Sequence, residues 1–354
     1  MRRTYIDNIK WITVLLVVVY HVIYMFNGEA TYGVIGPFSQ FQPQDIYQYL
    51  VYPWFMFLLF VVSGMSARFE LDTKGEKHFI RNRTRKYLVP STVGLLVFWW
   101  ILGYYNMLIG GAFETMGEVP KPVLFLIMCV SGTGVLWYIQ MLWCFSILLM
   151  ILRKVEKDRV FPLGRNANTP VLILLVLAVF GAAQVFNTPI VVVYRFGMYG
   201  LGFLLGYFVF AHEDVMEGLE KNWLLWGILA VGFGIAFVII YWGKPYPEHE
   251  VLDTFLCNGY AWFGTLGVLS CMKKWGNFQN AFSNWMCRKS WGIYIFHYLG
   301  IAVSAWYLKL YVPGMPAVLV YILVAVAGVA GALVLNEVIS RIPFLRWCVL
   351  GIKK

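Results

Sequence analysis

The chain has 354 residues, of which 60% are hydrophobic and only 13% are charged, whereas soluble domains carry about 25% charged residues. So few charged residues cannot cover the surface of a soluble protein, and the composition therefore predicts an all-α polytopic membrane protein. The formal net charge is +10, but the basic residues lie in short loops between apolar runs, which argues against a nucleic-acid partner. The six cysteines form no CxxC motif and no Cys/His cluster, so no metal site is predicted.

Apolar runs of about 17–25 residues are long enough to span the hydrocarbon core of a membrane. The ten runs in this chain cover residues 9–27, 47–67, 87–109, 133–152, 169–187, 190–211, 222–242, 251–272, 290–309 and 316–339. The run 122–131 is too short to span and is expected to lie in the interface or to re-enter the membrane. Without a repeat or a linker, the sequence predicts one transmembrane domain over residues 1–354, a bundle of about ten helices.

The basic residues orient this bundle. Ten spans place both termini on one side of the membrane, and the loops on that side, with flanking residues such as Lys10, hold 24 of the 28 lysines and arginines. The exceptions are Lys121, Arg195, Lys244 and Lys309. The positive-inside rule therefore predicts that both termini are cytoplasmic and that the protein is a multi-pass protein of the cell membrane.

One histidine interrupts the first apolar run. His21 lies about ten residues into the first span, roughly 15 Å deep at 1.5 Å per residue. An ionisable side chain at that depth usually faces the bundle interior and indicates function, although a hydrogen-bonded structural histidine is the alternative. His297 lies about eight residues into the ninth span, at a comparable depth. Two histidines at one level predict a polar chamber, and whether they face each other stays open.

Near the outer end of the sixth span, Arg195 has two interpretations of equal weight. It snorkels to the interface, or it lines an outward cavity. Asp253, beside His249 and Glu250, is expected in a solvated outer loop rather than at an acceptor entry.

The stretch HFIRNRTRKYLVP, residues 78–90, holds the densest basic cluster. If this stretch is helical, Arg81 and Arg85 share one face, and Arg83 and Lys86 share another. Arginine binds phosphate bidentately, so the cluster predicts a cytoplasmic polyphosphate ligand or anionic lipid head groups. Membrane orientation alone is the alternative explanation.

Several stretches together resemble the membrane acyltransferase-three family, in its short form without a soluble second domain. The stretches are YIDNIKWITVLLVVVYH with Asp7, Lys10 and His21, PWFMFLLFVVSGMSA with Ser63 and Gly64, FIRNRTRKYLVP, GVLWYIQMLW with Trp137, LGFLLGYFVF, and SWGIYIFHYLG with His297. The order and spacing of the motifs along most of the chain carry the resemblance. The chain departs from the family at Lys10, where many members have arginine, and at Trp291, where tyrosine is common.

The resemblance implies transfer of an acyl group from cytoplasmic acyl-CoA, with acetyl-CoA favoured, to a hydroxyl of a glycan or lipid-linked acceptor. The implied acyl transfer uses acyl-CoA as a substrate and needs no bound cofactor. His21 is then the general base for the acceptor hydroxyl, and an acyl-imidazole intermediate is the variant. Fourteen residues, or roughly 21 Å of helix, separate Asp7 from His21, which is too far for Asp7 to orient the imidazole.

The other residues divide between the donor and the chamber. The phosphates of CoA are assigned to Arg81, Arg83, Arg85, Lys86 and Lys10, and which arginine takes the family's Arg-x-x-Arg role stays open. The chamber or acceptor site is assigned to His297, Trp137, Ser63, Arg195 and Asp7. The rival hypotheses are a transporter or channel and an acyltransferase-like sensor without catalysis.

Overall fold

The computed structural model describes residues 3–29, 33–188 and 191–353, and within these ranges the secondary structure consists of helices joined by turns and loops, with one isolated bridge between Asn187 and Arg195. The α-helices are α1 (Thr4–Tyr24), α2 (Ile46–Arg83), α3 (Trp100–Ile109), α4 (Ala112–Thr115), α5 (Lys121–Ser131), α6 (Trp137–Glu156), α7 (Phe161–Gly164), α8 (Thr169–Ala182), α9 (Phe196–Phe208), α10 (Glu213–Lys221), α11 (Trp223–Tyr241), α12 (His249–Leu252), α13 (Phe255–Trp275), α14 (Ala281–Tyr311), α15 (Ala317–Arg341) and α16 (Pro343–Leu350). Two 3₁₀ segments, Pro43–Asp45 and Gly134–Leu136, and two π-helical segments, Thr84–Leu88 and Leu95–Trp99, join them.

In the described ranges, six helical stretches are long and apolar enough to cross a membrane. They are Thr4–Tyr24, Pro43–Leu88, Gly134–Glu156, Trp223–Tyr241, Ala281–Tyr311 and Ala317–Arg341. This confirms an all-α, multi-pass membrane protein.

The remaining apolar helices are shorter than the sequence predicts. The predicted spans 169–187 and 190–211 correspond to α8, of 14 residues, and α9, of 13 residues, and residue 190 lies outside the described ranges. Apolar composition continues past Ala182, but the chain leaves the helix, and Phe186 adopts a positive φ of 58°. The short run 122–131 forms α5, of 11 residues.

The chain divides into two compact units, each assembled from three segments. The first unit consists of Met1–Thr13, Tyr49–Arg81 and Met141–Cys287. The second unit consists of Val14–Gln48, Asn82–Gln140 and Arg288–Lys354.

Glycines bring helix backbones into direct contact in the first unit. A Cβ on Gly64 of α2 would lie 1.9 Å from the carbonyl oxygen of Phe203 in α9, and a Cβ on Gly206 would lie 1.9 Å from that of Val61. Small residues permit this approach, which is how membrane helices gain close packing in the absence of a hydrophobic driving force. The Ser-Gly pair at residues 63–64 thus has a packing role.

The second unit uses the same device around α14. A Cβ on Gly300 of α14 would lie 2.6 Å from the carbonyl oxygen of Ala327 in α15, and one on Gly103 of α3 would lie 1.7 Å from that of Met128 in α5. The first contact fixes the part of α14 that carries His297 against α15, and the second holds α3 against α5.

We expect Gly206→Ala to lower the stability of the folded protein by about 1–3 kcal/mol, because the added methyl group overpacks the contact of α2 with α9. The matched control is Gly232→Ala on α11, where a Cβ meets no atom within 4 Å. Thermal unfolding in detergent measures both variants. Equal melting temperatures for the two variants would contradict the close contact.

Candidate functional site

The two membrane histidines face each other in the second unit. Nε2 of His297 lies 3.1 Å from Nδ1 of His21, and the same Nδ1 lies 2.9 Å from the carbonyl oxygen of Val17. Nδ1 of His297 lies 3.0 Å and 2.8 Å from the carbonyl oxygens of Ile293 and Tyr294. His297 is fully buried, whereas His21 is half-buried. The sequence left this pairing open, and the structure provides it.

Aromatic rings surround the imidazole of His21. The ring centroids of Tyr20 and Tyr298 lie 5.2 Å and 4.9 Å from that of His21. An apolar surrounding of this kind favours a neutral imidazole over a charged one. A neutral imidazole has a lone pair, so this group can accept a proton from a hydroxyl.

One face of α14 extends from His297 to Trp291 through Tyr294, with a spacing of three residues. The ring centroids are 6.3 Å apart between His297 and Tyr294, and 6.1 Å apart between Tyr294 and Trp291. Six residues correspond to roughly 9 Å along the helix. We call these three residues the α14 row.

The α14 row also contacts the start of α6. The hydroxyl of Tyr294 donates a hydrogen bond to the carbonyl oxygen of Val135, in the 3₁₀ turn that directly precedes Trp137. Trp137, predicted from its motif, therefore follows a turn that is bound to the α14 row.

The basic stretch changes helix type at its centre. The chain is α-helical up to Arg83, and the next five residues, Thr84–Leu88, form a π-helix in which the amide of Val89 donates to the carbonyl of Thr84 over 3.1 Å. The α-helical register assumed for residues 81–86 therefore ends at Arg83. Single π-helical turns are rare in proteins, and those that occur often lie at functional sites.

The basic side chains of this stretch differ in their surroundings. Arg83 is only 5% exposed and donates to the hydroxyl of Tyr87. Arg85 is half-buried and donates to Asn82 Oδ1 over 3.1 Å. The Nζ of Lys86 lies 4.6 Å from the ring centroid of Trp291, as in a cation–π contact. Lys86 thus joins the basic stretch to the α14 row.

The C-terminal helix contacts the same place, which the sequence analysis missed. Arg85 Nε donates to the carbonyl of Gly351 over 3.2 Å, and Trp291 Nε1 donates to that of Leu350 over 3.2 Å. Gly351 has a φ of 64°, and a Cβ there would lie 2.4 Å from the carbonyl oxygen of Arg85. A glycine directly after an apolar helix was the available signal, since a left-handed C-terminal residue favours glycine.

Other predicted residues belong to the first unit. Lys10 Nζ donates to Ser66 Oγ over 2.8 Å, and Ser63 is buried beside Gly64. Asp7 is half-buried on α1, and Arg81 is exposed near the end of α2.

Arg195, also in the first unit, does not snorkel. It is only 3% exposed and donates to the carbonyl of Leu252 over 2.9 Å and to Asn258 Oδ1 over 3.1 Å, with Asp253 Oδ1 at 3.7 Å. Asp253 also lies 3.1 Å from Nδ1 of His249. These contacts tie the turn before α9 to the start of α13, so Arg195 has a structural role there.

No group of three or more His, Cys, Asp and Glu side chains is placed to hold a metal ion within the ranges that the structure describes.

The chain matches a known protein family: the profile of the acyltransferase domain that defines the acyltransferase-3 family matches residues 3–337, nearly the whole chain. Searches among curated proteins and among solved structures found no significant match.

We expect Arg195→Met to destabilise the protein by about 2 kcal/mol, because it leaves buried acceptors such as Asn258 Oδ1 without this donor. The control is Arg165→Met, which removes an ion pair with Asp214 in which both side chains are more than half exposed, and such pairs contribute about 0–1 kcal/mol. Thermal unfolding in detergent compares the two variants. If Arg195→Met unfolds at the wild-type temperature, the contacts of Arg195 with the start of α13 do not stabilise the fold.

Proposed function

Since the chain belongs to the acyltransferase-3 family and is therefore a membrane acyltransferase, we propose that it moves an acyl group from cytoplasmic acyl-CoA to a hydroxyl of a cell-envelope acceptor. The proposed donor is acetyl-CoA, and the proposed acceptor is a surface glycan or its lipid-linked precursor. The observation that carries the proposal is the α14 row, which connects Lys86 of the basic stretch to the histidine pair within the second unit.

The chemistry of the basic stretch supports coenzyme A as the donor. Coenzyme A carries several phosphates, and guanidinium groups bind phosphate oxygens with two parallel hydrogen bonds. Arg85 and Lys86 are half-buried beside the C-terminal helix, and Arg83 is buried on the same segment.

In the proposed mechanism, the oxygen of the acceptor hydroxyl attacks the thioester carbonyl while the imidazole of His21 takes the proton of that hydroxyl. The new C–O bond forms, the C–S bond breaks, and the CoA thiolate takes the proton back from the imidazolium. General base catalysis of this kind contributes about 10²–10⁴-fold in rate. The bound donor reaches His21 from the basic stretch, over roughly the two helical turns that separate Trp291 from His297.

We also propose ten membrane crossings with both termini in the cytoplasm of the cell. The six long stretches are complemented by Leu95–Ile109, α8 and α9, which are apolar but short, and by α13, which has 21 residues. α5 remains at the interface or re-enters, as its 11 residues require. Reporter fusions after residues 188 and 353 test this topology. With ten crossings, residue 188 is expected outside the cell and residue 353 in the cytoplasm.

Mass spectrometry of envelope glycans and lipids tests the acceptor. Envelope molecules of cells that express the protein should carry an added acyl mass, which is about 42 Da for one acetyl group. Cells expressing His21→Ala should lack this added mass. If cells that express the wild-type protein and cells that lack it have glycans and lipids of the same masses, the proposed acceptor class is wrong.

We expect His21→Ala to reduce acyl transfer from acyl-CoA by about 10²-fold or more, because it removes the proposed base. Val19→Ala is the control, since Val19 lies on the same helix and is 45% exposed. Release of the CoA thiol in the presence of membrane extract measures the rate. Wild-type activity in a folded His21→Ala variant would refute the base assignment.

We expect Arg85→Gln to raise the KM for acyl-CoA about tenfold while kcat stays within a factor of two, because a charged hydrogen bond to phosphate contributes about 1.5–3 kcal/mol. Arg165→Gln, at an exposed ion pair of the first unit, serves as the control. If Arg83→Gln, Arg85→Gln and Lys86→Gln all bind acyl-CoA as the wild type does, the donor does not bind at this stretch.

A further inference from the structure

We propose that His297 is a positioning residue that fixes the tautomer of His21 and leaves Nε2 of His21 as the nitrogen that receives the proton. The inference rests on the proposed role of His21 as the base. It adds which nitrogen acts and which residue selects it.

The proton of His297 is located by its two backbone contacts. Its Nδ1 lies 3.0 Å and 2.8 Å from the carbonyl oxygens of Ile293 and Tyr294. A carbonyl oxygen only accepts hydrogen bonds, so Nδ1 of His297 carries the proton. In a neutral imidazole the other nitrogen then has a lone pair. Nε2 of His297 is therefore a hydrogen-bond acceptor.

The tautomer of His21 follows from this assignment. Its Nδ1 lies 2.9 Å from the carbonyl oxygen of Val17 and 3.1 Å from the acceptor Nε2 of His297. An N–H at Nδ1 suits both contacts, whereas a lone pair there would face a lone pair on each of them. His21 is thus protonated at Nδ1, and its Nε2 has the lone pair that takes a proton.

The same hydrogen bond stabilises the product of proton transfer. When Nε2 of His21 takes the proton from the acceptor hydroxyl, the ring becomes an imidazolium whose Nδ1–H still donates to Nε2 of His297. In serine hydrolases a carboxylate orients the base in this way. Here a neutral imidazole does so, which avoids the cost of a buried negative charge inside a membrane. After transfer, the proton leaves from Nε2 to the CoA thiolate, and both histidines are neutral again.

His297 is well held for this role. It is fully buried, its Nδ1 is bound by its own helix, and that helix contacts α15 so closely that a Cβ on Gly300 would lie 2.6 Å from the carbonyl oxygen of Ala327. The position of its Nε2 is therefore set by backbone packing and not by a mobile side chain.

A spectroscopic test reads the tautomer directly. The protein contains five histidines, so ¹⁵N labelling of histidine gives few ring signals, and His21→Gln assigns those of His21. In the wild type we expect the Nδ1 of His21 to resonate as protonated nitrogen and its Nε2 as unprotonated nitrogen. In His297→Met, whose thioether sulfur is only a weak acceptor, we expect a mixture of the two tautomers.

Activity provides the second test. His297→Met should lower kcat about 10²-fold with an unchanged KM for acyl-CoA, since the base would be misoriented and only partly in the active tautomer. His297→Gln should retain kcat to within about tenfold, because its amide oxygen can accept the hydrogen bond from Nδ1. Ser304→Ala is the control on α14, because its hydroxyl contacts only carbonyls of its own helix among the hydrogen bonds described.

The outcomes separate this inference from the proposed function. A wild-type His21 that is protonated at Nε2, or a His297→Met variant with wild-type kcat, would overturn the positioning role even if His21→Ala is inactive. Activity retained in His21→Ala would instead overturn the base itself. If His297→Met does not fold, the wild-type spectrum and the rate of His297→Gln still decide, and a 10²-fold loss in a folded His297→Gln variant counts against the inference.

Discussion

The hydrogen bond between His21 and His297 is the interaction on which the arrangement of the second unit's site depends. Each imidazole lies in a predominantly apolar helix, where a buried polar group without a partner costs about 1–3 kcal/mol. The two rings bind each other and the carbonyls of their own helices. The pairing sets which face of α14 lies next to His21, and that face carries Tyr294 and Trp291.

The second constraint is the way in which the basic stretch meets the other end of this face. Lys86 lies over the ring of Trp291, and Arg85 binds the carbonyl of Gly351, whose conformation and close approach both favour glycine. The π-helical turn at Thr84–Leu88 ends the α-helical register of α2 just before these two side chains. The basic stretch and the histidine pair are thereby connected through one helix, which is the arrangement that the proposed acyl transfer from coenzyme A needs.

The sequence predicted the features that follow from composition and local pattern. It predicted the all-α membrane fold, the place of His21 and His297 at comparable depth, and the basic stretch. It did not predict the pairing of the histidines, because depth along a helix does not determine which way a side chain faces. It also missed Gly351 and the early end of α8 at Ala182, since both depend on tertiary contacts and turns that apolar composition does not report.

The central claim is that acyl-CoA binds from the cytoplasm and that His21 activates, inside the membrane, the acceptor hydroxyl that takes the acyl group. Sealed vesicles of opposite orientation, supplied from outside with radiolabelled acetyl-CoA, test this claim most directly. The account predicts that label enters the lipid and glycan fraction only in inside-out vesicles, in which the basic stretch faces the added donor, and not when they contain His21→Ala. Equal labelling of right-side-out vesicles, or labelling that persists without the histidine, would contradict it.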